Sequence, residues 1–245
     1  MTKHIDANAL MQGAVKHFWI VRGRQLKKQR KGGKSDQGAR GAVTGGKHAD
    51  GFVKFVGAVV SAANVKDAEV RLAEKRPRTL PGYFRPCKEW DLLVVRGTDL
   101  VAAIEVKSQV GSFGNNFNNR VEEALGNAAD FWAAYKNGLF APTTRPWLGY
   151  LFMLEERDAS TKPTKQIDLK PFRVDPVFQQ LSYARRYEET CKRLVRERLY
   201  DAACFFTSEA ATGIRGVFKE PSVELSAEAF ARSLYERALA FRRIK

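Results

Sequence analysis

Residues 89–107 read Glu89-Trp90-Asp91-Leu92-Leu93-Val94-Val95-Arg96-Gly97-Thr98-Asp99-Leu100-Val101-Ala102-Ala103-Ile104-Glu105-Val106-Lys107. Two short apolar runs, Trp90 to Val95 and Val101 to Lys107, flank the segment from Arg96 to Leu100. Both are rich in Val, Ile and Leu, and the segment between them holds Gly and Asp, which predicts a β-hairpin. Side chains alternate along a strand, so Val101, Ala103, Glu105 and Lys107 are expected on one face, with Ala102, Ile104 and Val106 on the other. A turn centred on Thr98 sets Asp91 directly opposite Glu105. Such cross-strand neighbours have Cβ atoms about 4.5–5.5 Å apart, close enough for two carboxylates to share one metal ion. A slip of one residue would send them to opposite faces, so the register is a sharp expectation.

Two carboxylates on a buried sheet repel each other, and burying them unpaired is costly. A divalent cation resolves the conflict. Magnesium takes hard oxygen ligands and keeps several waters, so two carboxylates and a substrate phosphate suit it. It polarises a phosphodiester and lowers the pKa of a bound water. Lys107 would then orient or help deprotonate that water and offset charge on the phosphorane. The plainer alternative is that Asp91 caps a strand while Glu105 and Lys107 form a surface ion pair. Both acids interrupt runs that otherwise read as buried, which favours the catalytic set Asp91, Glu105 and Lys107, with Asp91 and Glu105 as metal ligands.

Outward from the hairpin, residues 6–22 carry Leu10, Ala14, Phe18 and Val21 as a helical stripe that stops at Gly23. From Arg22 to Lys54, ten Lys or Arg stand against Asp36 and Asp50, and Gly32, Gly33, Gly38, Gly41, Gly45 and Gly46 break up any regular element. That stretch reads as a basic loop system able to follow a phosphate backbone. Phe52 to Ala63 reads as a helix and 68–73 as a short strand, followed by a loop holding Pro77, Pro81 and Pro86. On the other side, a polar loop precedes a long helix marked by Val121, Ala124, Leu125, Ala128, Trp132 and Tyr135, ending near Asn137-Gly138. Trp147 to Leu154 is a buried-strand candidate. Residues 177–199 are an expected helix, 202–206 a strand, and 227–243 a helix capped by Ser226. The order predicts an α/β domain with a central mixed sheet flanked by helices, plus helical additions.

Composition narrows the class of partner. The 245 residues include 42 Lys and Arg against 27 Asp and Glu, a formal net charge of +15. Such an excess points to polyanions, whose phosphates Lys and Arg neutralise. No apolar run approaches the roughly 18 residues of a membrane span, and no apolar stretch follows Lys3 and His4 as in a secretory signal. Cys87, Cys191 and Cys204 lack paired spacing and read as reduced cytoplasmic thiols. His4, His17 and His48 show no zinc or His-nuclease arrangement.

The residues Glu89-Trp90-Asp91 through Glu105-Val106-Lys107 resemble the PD-(D/E)xK nuclease core. Two further stretches, Ala42-Val43-Thr44-Gly45-Gly46-Lys47 to Asp50-Gly51-Phe52 and Ser112-Phe113-Gly114-Asn115-Asn116-Phe117-Asn118-Asn119-Arg120-Val121-Glu122-Glu123, extend the resemblance to the XhoI-type restriction endonucleases. Trp90 stands where the superfamily name expects proline. The resemblance implies a restriction-endonuclease-like fold and a homodimeric type II enzyme. It also implies magnesium-dependent cleavage of double-stranded DNA at the palindrome CTCGAG, leaving 5′-phosphate ends. A palindrome implies a two-fold dimer, each subunit cutting one strand. A separate methyltransferase would protect the host's own DNA. The expected organisation is one endonuclease domain over 1–245: a DNA-contacting segment at 22–54, the catalytic core at 50–154 and a C-terminal addition at 170–245.

Gly41 to His48 nearly spells a phosphate-binding loop, but His48 stands where Ser or Thr must hold magnesium. The better reading is a DNA-contacting loop using Arg40, Lys47 and His48. Asn115, Asn116, Asn118, Asn119 and Arg120 follow the catalytic strand and are candidate DNA contacts, since Asn can pair with adenine and Arg with guanine. Asn also shapes turns. Glu122 and Glu123 are expected to begin the next helix, where acids suit its dipole. Asp50 and Glu69 are candidate accessory metal ligands. The basic run Arg185 to Arg198 carries its own acids and reads as a solvated face. Two alternatives stay open: a structure-selective nuclease such as a junction resolvase, and a non-catalytic DNA-binding protein.

Overall fold

The computed structural model describes residues 5–31, 50–65, 68–71, 78–140 and 144–243. In chain order its elements are α1 (Ala7–Lys31), α2 (Asp50–Ala62), β1 (Ala68–Arg71), β2 (Thr79–Pro81), β3 (Cys87–Glu89), β4 (Leu92–Arg96), β5 (Asp99–Gln109) and α3 (Phe113–Lys136). After them come β6 (Trp147–Glu155), α4 (Asp158–Thr161), α5 (Tyr183–Arg196), β7 (Ala202–Ser208), α6 (Ala210–Gly213) and α7 (Ala227–Arg243). Five strands form one mixed sheet in the order β1-β4-β5-β6-β7. β4 pairs antiparallel with β1 and β5, whereas β5-β6 and β6-β7 are parallel. The fold class expected from the sequence is therefore the one observed.

The sheet is buried on both faces, so its strands read as nearly continuous apolar runs. On one face α1, α2 and α7 pack Phe18, Phe55 and Phe230 against Leu92, Ile104, Leu151 and Phe206. On the other, α3 and α5 pack Phe131 and Tyr187 against Ala103, Leu148, Phe152 and Phe205. Among the described residues no helix is long and apolar enough to cross a membrane.

Over Leu92–Val94 the hairpin has the predicted pairing through an unpredicted route, but the ladder stops at Leu92 and the expected pairing of Asp91 opposite Glu105 is not part of it. Its turn is the two-residue Gly97-Thr98, with Arg96 opposite Asp99 and Gly97 at φ +59°, a conformation glycine adopts without penalty. That turn alone would shift the register by one. A bulge restores it: Val101 is the extra residue, and beyond it Val94, Leu93 and Leu92 face Ala102, Ala103 and Ile104. The expectation that Val101 shares a face with Ala103 is corrected, because the bulge turns Val101 onto the opposite face, with Ala102.

Other boundaries also move. α1 runs through Gly23 to Lys31, so the basic segment is helical over Arg22–Lys31 instead of irregular. One glycine costs about 1 kcal/mol, and the Arg, Gln, Leu and Lys that follow are strong helix formers. α3 begins at Phe113, placing Asn115 to Arg120 in helix and Glu122 and Glu123 well inside it. Packing overrides the weak propensity of the asparagines: Phe113 lies against Tyr183 and Phe117 against Tyr187, with the latter centroids 5.0 Å apart. The proline-rich stretch holds an antiparallel ribbon, β2 with β3, which the sequence does not signal. The helix expected over 177–199 starts only at Tyr183, where the Ser182 hydroxyl caps the Arg185 N–H, and a 3-10 turn precedes it. Ser226 caps α7 through the Ala229 N–H, as expected.

Candidate active site

β4 and β5 part company at the site. Leu92 is the last residue of β4 to pair, while β5 continues beside β6 with Glu105 opposite Tyr150 and Lys107 opposite Phe152. Asp91 occupies the bend before β4. Its carboxylate accepts the Val106 N–H at 2.8 Å, taking up a β5 donor that the ended ladder leaves unpaired. Asp91 is thus tied to the strand segment that carries Glu105 and Lys107.

Glu105 is the buried charge at the centre, with only 2% of its side chain exposed. Lys107 holds one carboxylate oxygen, Oε1. The Lys88 ammonium, on β3, stands 3.0 Å from the other, Oε2. That approach lies off hydrogen-bond geometry, so Oε2 is buried without a hydrogen-bond donor. Asp91 responds to this environment: burial, and then the negative charge of Glu105, push its carboxyl above its ordinary range despite Lys107, Lys88 and the Val106 N–H. For Lys107 burial works to lower the ammonium's pKa, but Glu105 and Asp91 outweigh it and the net movement is upward.

Both halves of the plainer reading are physically present, since Asp91 does cap a strand and Glu105 does pair with Lys107. The pair is not a surface one, however. An ion pair with its acid fully desolvated gains stability only if the remaining oxygens are satisfied, and here one is not. These residues fit a hard divalent cation: two carboxylates, one raised in proton affinity by burial and by the other, and one carrying an oxygen without a donor.

Arg40, Lys47 and His48 lie outside the described residues. Asp50 is exposed at the start of α2, and among the described residues no third His, Cys, Asp or Glu gathers with Asp91 and Glu105 in a metal-holding group. Glu69 lies in β1 opposite Val95, but its side chain falls outside the described residues. Asn115, Asn118 and Asn119 are exposed in the first turns of α3, and half-buried Asn116 donates to the Ser112 carbonyl at 2.9 Å. Arg120 is half-buried and paired with Glu123. The acids of α5 take up its basic residues, Glu188 with Arg185 and Lys192, and Glu189 with Arg193.

Two residues of the site escape the sequence reading. Lys88 sits in the stretch taken for a loop, and only its nearness to Asp91 in the chain could have flagged it. Glu123 adds to the upward pull on Lys107, an effect visible only once α3 is known to begin at Phe113.

Comparison with known proteins gives a family. A model of the restriction endonuclease XhoI family matches residues 28–220. The chain is 48% identical over 205 residues to the type II restriction enzyme BstVI of Geobacillus stearothermophilus, covering 81% of this chain and 90% of that one. It is 42% identical over 192 residues to the type II restriction enzyme XhoI of Xanthomonas vasicola, covering 78% and 76%. To the type II restriction enzyme AbrI of Azospirillum brasilense it is 47% identical over 160 residues, covering 64% and 70%. No solved structure matches the chain.

Proposed function

The chain belongs to the XhoI family of type II restriction endonucleases, and on that premise we propose that it hydrolyses double-stranded DNA with Mg²⁺ held by Asp91 and Glu105. The observation that carries this reading is Glu105: a desolvated carboxylate beside a second acid, with one oxygen lacking a hydrogen-bond donor. When bound, the metal supplies a lowered water pKa and polarisation of the scissile phosphate.

The chain's own residues do the rest. Asp91, tied to the Val106 N–H, presents its carboxylate in a fixed position to the cation. Glu105 serves the same cation while anchoring Lys107. In the metal-free site burial works to lower the pKa of Lys107, but Glu105 and Asp91 outweigh it. Lys107 orients or helps deprotonate the attacking water and offsets charge at the phosphorus. The basic segment 22–54, with Arg40, Lys47 and His48, contacts the DNA, as do Asn115, Asn116, Asn118, Asn119 and Arg120 at the start of α3. The net charge of +15 favours the phosphate backbone of any sequence, so specificity must come from base contacts.

We further assign the target CTCGAG, cleavage by a homodimer in the cytoplasm, 5′-phosphate ends, and host protection by a separate methyltransferase. The target, the homodimer, the ends and the methyltransferase follow from the resemblance of the Ala42 to Phe52 and Ser112 to Glu123 stretches to XhoI-type enzymes, and the cytoplasm from the unpaired spacing of Cys87, Cys191 and Cys204. The test is digestion of a linear plasmid carrying one CTCGAG, with Mg²⁺ or with EDTA, beside an Asp91→Ala control. Two fragments, lost with EDTA and in the variant and religated by ligase without a kinase step, are expected. Cleavage at other sites would overturn the specificity, and cleavage that survives EDTA would overturn the metal.

A further inference from the structure

Lys88 stands outside the Asp91-Glu105-Lys107 set, yet its ammonium is as much inside the site as theirs. It lies 3.0 Å from Glu105 Oε2, with 13% of the side chain exposed. The ammonium also sits over the Trp90 ring, 4.6 Å from its centroid, and donates to the Glu89 carbonyl at 3.3 Å. The ribbon that carries it is well fixed. Arg78 pairs with Glu89 at 3.0 Å and donates to the Asp91 carbonyl at 3.1 Å, while Trp90 N–H donates to the Arg78 carbonyl. At the far end of the ribbon, the Asp130 carboxylate of α3 accepts the Tyr83 and Phe84 N–H groups, both at 2.8 Å. Lys88 is thus delivered to Glu105 by a structure built around it.

The two ammoniums differ in how they are held. Lys107 is hydrogen-bonded to Glu105 and stabilised by Asp91 and Glu105 together. Lys88 touches Glu105 without the geometry of a hydrogen bond, so it neutralises Oε2 but does not satisfy it. The formal charges of Asp91, Glu105, Lys88 and Lys107 sum to zero. Adding a divalent cation to a neutral, largely desolvated cluster is unfavourable unless positive charge leaves.

We propose that Lys88 is a displaceable internal counter-cation that competes with the metal for Glu105 and thereby sets the metal affinity of the enzyme. It is a positioning residue of the metal site, distinct from Lys107. The inference rests on the assignment of Asp91 and Glu105 as metal ligands.

The test is titration of the DNA-free protein with Mn²⁺ alone, following the electron paramagnetic resonance signal of the free ion, so that no cleavage is involved. Lys88→Met should bind Mn²⁺ at least tenfold more tightly than the parent, since about tenfold is what one unit charge at this distance contributes even with the screening of bulk water. Lys88→Arg, which keeps the charge, should bind no more tightly than the parent. Should the methionine variant not fold, Lys88→Gln carries the same expectation. Unchanged or weaker binding in a folded neutral variant would overturn the role of Lys88 while leaving the metal site in place. A Glu105→Gln variant that binds Mn²⁺ as the parent does would instead overturn the ligand assignment beneath it.

Discussion

Removing the charge of Glu105 should unfold the protein more readily as well as silence it. The carboxylate is 2% exposed and faces two ammoniums, those of Lys107 and Lys88, whose side chains are 23% and 13% exposed. Glu105→Gln keeps the shape but leaves both cations without their acid. Breaking a buried pair by removing one partner costs about 3–5 kcal/mol. Because both lysines retain some exposure and flexible stems, they can relax toward solvent, which puts the expected loss at the lower end, about 3 kcal/mol. For a chain of this size each kcal/mol shifts Tm by roughly 2–4 °C, so the loss corresponds to roughly 6–12 °C. The assay is thermal melting in EDTA followed by circular dichroism. Replacing all three charges together, as Lys88→Met with Glu105→Met and Lys107→Met, should recover at least half of that loss while remaining inactive, since apolar side chains of similar length carry no desolvation penalty. A Glu105→Gln variant as stable as the parent, or a triple variant less stable than the single one, would refute the reasoning.

Three further outcomes follow from the same structure. The Asp91 carboxyl is raised by burial and by Glu105, so its contribution to metal-free stability is full below the unfolded pKa and is lost as pH rises through the folded one. Melting in EDTA should show Asp91→Asn gaining on the parent across that window. For Asp130, burial pushes upward but the Phe84 N–H, the Arg85 guanidinium and the Tyr83 N–H outweigh it, leaving the carboxyl below its usual range. Its contribution is therefore present above the ordinary carboxylate pKa and lost as pH falls through the lowered value. Asp130→Ala should cost about 2–3 kcal/mol, read as lower Tm, and should expose residues 82–86 to limited proteolysis. Gly213 leaves no room for a side chain, since an added Cβ would overlap the Trp19 ring. Gly213→Ala should cost about 1–3 kcal/mol through overpacking, measured by urea unfolding.

The sequence made the pairing of the hairpin legible because two apolar strands with a fixed alternation tolerate only one register over Leu92–Val94. It did not make the turn legible. A two-residue turn with a bulge at Val101 and a wider turn centred on Thr98 give the same pairs beyond the bulge, and only the face of Val101 distinguishes them. Asp91, Glu105 and Lys107 could be grouped from spacing because Glu105 and Lys107 lie on β5 and Asp91 directly precedes β4, two strands whose apolar pattern is strong. Lys88 could not: its strand is three residues long, directly preceded by Pro86, and held by Arg78 and, from far along the chain, by Asp130. The start of α3 was hidden for a similar reason. Four asparagines argue against helix locally, and the aromatic contacts of Phe113 and Phe117 with α5 decide the matter.

The central claim is that Asp91 and Glu105 together hold the divalent cation of a DNA-cleaving enzyme. The most direct measurement is anomalous diffraction from crystals grown with Mn²⁺ and a duplex containing CTCGAG. A Mn²⁺ peak within coordination distance of both carboxylates is predicted. A peak held by other residues, with Asp91 still capping Val106 and Glu105 still paired to its two lysines, would contradict the account.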